Sequence, residues 1–87
     1  MQIPKLTVLA QAGAVREAEA MPDAGGWAVW IVHAGRGGER REPLERQRGG
    51  ARVFATLDAV ARTLRAAGVL EFRVINPRSG EESSDGR

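Results

Sequence analysis

A two-layer α+β domain is predicted by three features of this 87-residue chain. Residues 14–34 alternate with period two about a Pro/Gly turn, and residues 53–68 carry an apolar stripe of helical period. A second alternating segment, 69–75, follows. Strands followed by a helix and a last strand make a small antiparallel sheet, a three-strand meander plus a C-terminal strand. One main helix covers it, preceded by a short N-terminal helix.

The opening "IPKLTVLAQAG" places Pro4 in a first helical turn, sets Leu6, Leu9 and Ala10 on one face and ends at Gly13, which predicts the short helix. From Ala14 to Met21 the chain alternates, with Val15, Glu17, Glu19 and Met21 on one face and Ala14, Arg16, Ala18 and Ala20 on the other. "PDAGG" (22–26) turns it into "WAVWIVHA", rich in β-branched and aromatic residues, so residues 14–34 form a hairpin. "GRGG" (35–38) turns again, and "ERREPLERQR" returns as a polar third strand. Pro43 lacks an N–H for the ladder, which places this strand at an edge. Leu44 is its one side chain suited to a core. "GGAR" ends it.

In "VFATLDAVARTLRAAG" Val53, Leu57, Val60, Ala61 and Leu64 share a stripe. Thr56 is a natural N-cap, Asp58 complements the helix dipole and Gly68 terminates the helix. "VLEFRVI" then alternates Leu70, Phe72 and Val74 against Val69, Glu71, Arg73 and Ile75. Residues 1–77 are thus expected to form one domain. The tail 78–87, with no apolar residue to bury, is expected to be a disordered polar segment.

Composition narrows the function classes. There is no cysteine, hence no disulfide framework and no thiolate metal site, which fits a reducing cytoplasm. The start has neither the basic region of a signal peptide nor a long apolar run, so no membrane association is expected. Net charge is +2, with Arg supplying twelve of thirteen basic residues. That makes a small basic protein suited to a weak anionic partner, although Arg abundance also fits coding bias in a G+C-rich genome.

No pattern of catalytic groups stands out. The chain has one His, no Cys, no Tyr and no suggestive carboxylate pair, so no enzyme activity and no cofactor are expected. His33 falls in register with Trp27, Val29 and Ile31 and reads as a core-edge imidazole. "GRGGER" lacks the following helix and the Lys and Ser/Thr of a phosphate loop.

Two features carry binding hypotheses. If Trp27, Val29 and Ile31 face the main helix, Trp30 and Val32 lie on the opposite face. They then serve as a stacking platform or protein contact, or else lie beneath the N-terminal helix. Second, residues 36–52 hold six arginines, Arg36, Arg40, Arg41, Arg46, Arg48 and Arg52, against Glu39, Glu42 and Glu45. A hairpin so charged suits phosphate contact, yet the interleaved glutamates equally suit a solvated, internally paired edge.

Taken together, "IPKLTVLAQAGAVREAEA", "GGWAVWIVHAG" and "FATLDAVARTLRAAGVLEFRV" resemble the small ParC-type proteins associated with plasmid partition genes. The likeness spans most of residues 3–75. It rests on the apolar opening at Leu6 and Leu9, the Gly25 to Trp27 strand start, the arginines between Arg46 and Arg52, and the helix start from Phe54 to Leu57. This chain departs from that pattern in placing Trp30 and Val32 where the strand's outer face is otherwise polar. The resemblance implies a non-catalytic bacterial accessory protein of plasmid partition, working near ParA- and ParB-like proteins. With the arginines, it leads to the expectation of weak plasmid DNA binding through the hairpin. The alternative is an adaptor or homodimer docking through Trp30, Val32 and the edge strand.

Overall fold

The computed structural model describes residues 1–76. Its elements are α1 (Ile3–Gln11), β1 (Val15–Asp23), β2 (Gly26–Gly35), β3 (Gly38–Pro43), β4 (Val53–Phe54), α2 (Leu57–Ala66) and β5 (Arg73–Val74). The strands form one sheet in the order β3-β2-β1-β5, and β4 pairs with β2 beyond the end of β3. This is the α+β meander with a C-terminal strand that the patterning predicts. The expected tail at 78–87 lies outside the described residues.

The β1–β2 hairpin closes through Ala24 and Gly25, both at positive φ (51° and 81°). That is the handedness whose twist matches the flanking strands. Gly26 is required for a different reason: a Cβ there would run into the Phe54 carbonyl oxygen of β4. At the other end of β1, Val15 pairs with His33 while Glu17 pairs with Val32, which leaves Arg16 as a bulge. The bulge turns Val15 inward onto the core, so it does not share a face with Glu17 as simple alternation predicts.

Three further departures from the sequence reading have physical causes. The third strand stops at Pro43 instead of running to Arg48. Beyond Leu44 a single bridge, Glu45 to Ala51, closes a tight turn in which the Arg46 amide donates to the Gly50 carbonyl oxygen. The two-residue β4 then pairs with β2 antiparallel, as β1 does, so α2 crosses the sheet and delivers β5 parallel to β1. The sheet is therefore mixed. Finally, only Arg73 and Val74 of the 69–75 segment pair with β1. Val69 is buried and Leu70 is 79% exposed.

Both helices pack on one face of the sheet. Leu6 of α1 and Val60 and Leu64 of α2 join Ala18, Ala20, Val29, Ile31, Leu44 and Phe54 in one buried cluster. Each fully buried Leu, Ile or Val contributes about 1.5–3 kcal/mol of apolar transfer free energy, so this single cluster dominates stability. Thr56 caps α2 by accepting a hydrogen bond from the Ala59 amide at 3.1 Å, as the sequence predicts. No helix among the described residues is long and apolar enough to cross a membrane.

Candidate interaction surface

Because α1 lies on the same face as α2, it does not cover Trp30. Strand alternation sends Trp27, Val29, Ile31 and His33 of β2 to the helix-covered face and Ala28, Trp30, Val32 and Ala34 to the other. Among the described residues no helix covers this outer face.

The strand register builds it in three rows. Met21, Ala28 and Val53 stand opposite one another across β1, β2 and β4. Glu19, Trp30 and Pro43 follow, then Glu17, Val32 and Arg41. At the far edge Arg73 of β5 pairs with Glu19. An apolar strip along β2 thus runs between acidic residues on β1 and a basic residue on β3.

The charged groups hold the aromatic one in place. The Arg41 guanidinium lies 4.4 Å from the Trp30 ring centroid, within cation–π range. Its Nη2 donates to Glu19 Oε1 at 2.9 Å and approaches Met21 Sδ at 3.5 Å. Arg73 donates to Glu17 Oε2 at 2.5 Å and reaches Glu19 Oε2 at 3.9 Å. Its partner Glu17 raises the Arg73 guanidinium above its ordinary value. Trp30 is half-buried and fixed in orientation, as are many aromatic anchors at protein contacts.

The six arginines expected to contact phosphate do not form one surface. Arg36, in the β2–β3 turn, and Arg40, opposite His33, stand exposed at one end of β3. Arg46 and Arg48 are exposed in the turn beyond the other end, about 20 Å away at the usual rise per residue. Arg52 is half-buried with its guanidinium 4.8 Å from the Phe54 ring centroid. Arg41 belongs to the outer face. Arg36, Arg40, Arg46 and Arg48 make no ion pair among the described residues.

His33 is a core residue. It is 3% exposed, with Nε2 2.7 Å from Glu42 Oε2 and Nδ1 3.0 Å from the Ala34 carbonyl oxygen. That hydrogen bond to His33, aided by Lys5 and opposed by partial burial, holds the Glu42 carboxyl below its ordinary value. An open trough of about 530 Å³ runs between β1 and the segment leading to β5, lined by residues that include Arg16, Ala18, Leu70 and Phe72. Its Glu17 and Arg73 pair with each other.

Sequence reasoning named Trp30, Val32 and Arg41 but missed Met21, Ala28, Glu17, Glu19, Val53 and Arg73 as parts of the same surface. Period-two alternation put Glu17, Glu19 and Met21 on one face. Val53 and Arg73 join only through non-local pairing, for which no local signal exists. No protein-family model matches the chain, and no curated protein or solved structure matches it.

Proposed function

We propose that this chain is a non-catalytic accessory module of plasmid partition that works in the cytoplasm and docks on protein through the outer face of its sheet. One observation carries the docking reading: both helices share the inner face, leaving Trp30 and Val32 uncovered and Trp30 clamped by Arg41. Trp, Arg and Met are the side chains enriched at such contacts. The partition context rests on the resemblance described above.

The test is an amide-shift titration of the isotope-labelled protein with purified ParA-like ATPase, with purified ParB-like protein, and with itself over a concentration series. Shifts centred on Glu19, Trp30, Val32 and Arg41 in at least one of the three, lost in Trp30→Arg, are expected. Shifts confined to other surfaces, or none in all three, overturn the docking reading.

A second reading is favoured by four of the six arginines between Arg36 and Arg52, which are exposed and make no ion pair among the described residues. Arg36 and Arg40 on the hairpin, with Arg46 and Arg48, then contact phosphates of plasmid DNA weakly. Fluorescence anisotropy with duplex DNA should show affinity falling steeply with salt, and Arg36→Ala with Arg40→Ala should lower the log–log slope by about 2. A slope unchanged by the double substitution removes the hairpin from the interface.

A further inference from the structure

The outer face has the pattern of a self-complementary surface. We propose that its occupant is a second copy of this chain, stacked face to face about a two-fold axis running along β2; this rests on the docking reading above.

A two-fold axis along β2, in the plane of the interface, keeps each row at its own level and exchanges the β1 side for the β3 side. Glu17 then faces the partner's Arg41, and Arg41 faces the partner's Glu17. Val32 and Trp30 meet their own counterparts on the axis, and Met21 meets the partner's Val53. Glu17 and Met21 find suitable opposites, the first because Glu17, Val32 and Arg41 occupy one row, in that order; Glu19, held by Arg41 and Arg73 of its own chain, falls opposite the partner's Pro43. The rotation of about 30° between aligned packed sheets leaves the positions nearest the axis in each row matched. An axis across the strands would instead lay β1 on the partner's β1 and set carboxylate against carboxylate, Glu19 on Glu19 when centred on the Trp30 row or Glu17 on Glu19 when centred between that row and the next.

Charge and area point the same way. Glu17, Glu19, Arg41 and Arg73 sum to zero, so two such faces meet without net repulsion, whereas a nucleic acid would meet two carboxylates beside the aromatic. Four strands about 4.8 Å apart and three rows of outward residues give a face on the order of 400 Å² per copy. Roughly 800 Å² in all is at the small end for specific interfaces, and a weak, reversible dimer is expected. Strand direction is preserved by this axis, so both Arg36 and Arg40 hairpins leave the dimer at the same end. A duplex would meet two basic tips.

The experiment is sedimentation of the full chain from about 10 μM to about 1 mM. The wild type should dimerise, and Glu17→Arg and Arg41→Glu should each weaken association by about tenfold or more. An equimolar mixture of those two variants should restore it, because every basic side chain then faces an acidic one. Circular dichroism establishes that each variant is folded. Should either fail to fold, Val32→Lys sets two ammonium groups against each other at the axis and should give the same loss. A wild type that stays monomeric, or a mixture no tighter than its components, overturns the second-copy assignment. If the copies do not associate while outer-face amides still respond to ParA- or ParB-like protein, the docking reading stands alone. If neither occurs, both fall.

Discussion

Glu42 sits where α1, β2 and β3 meet. Its carboxylate accepts from His33 at 2.7 Å and Lys5 at 3.2 Å, and the Met1 amino group lies 3.8 Å from its other oxygen. These contacts tie α1 to the sheet on a partly buried face. Since they hold the folded carboxyl below its ordinary value, the unfolded chain binds the proton more readily. The stabilisation is therefore complete above the ordinary carboxylate range and is lost as pH falls through the lower folded value. Glu42→Gln should cost about 2 kcal/mol at neutral pH and flatten the acid limb of a stability–pH curve measured by urea unfolding. The sequence placed His33 on the core side of its strand. Its partner was not legible, because Glu42 lies nine residues away and meets the imidazole only when β3 folds back in this register.

At the scale of elements, α2 shows how far local chemistry reaches. Thr56, Asp58, the stripe Val60 and Leu64, and Gly68 after the last turn are all local signals, and each sits as they require. Thr56→Ala should remove the cap at Ala59 and cost about 1 kcal/mol, read as a fall in Tm of roughly 4–8 °C for a domain of this size. The β1–β2 hairpin was equally legible, since its turn chemistry and alternation are consecutive in sequence. β4 was not. Val53 and Phe54 read as the lead-in to a helix, and only pairing with Trp27 and Ala28 makes them a strand. The bulge at Arg16 was hidden for the same reason, because a bulge is defined by the partner strand opposite it.

For the whole molecule, the sequence by itself determined an α+β meander, the side of β2 that builds the core, the capped main helix and the absence of a cysteine framework. These follow from periodicity, turn residues and composition, each written in neighbouring residues. Tertiary structure alone decided that α1 joins α2 on the inner face, that β5 runs parallel to β1, and that the six arginines are divided among a hairpin tip, a turn, a paired row and, for Arg52, a stack on Phe54. The physical reason is that a short amphipathic helix such as α1 fits either face of an open sheet equally well by its own pattern. The choice is made by which buried surface Leu6 can complete, and that surface exists only after Ile31, Leu44 and Leu64 have assembled. The open, charge-balanced face with Trp30 at its centre is a product of that choice.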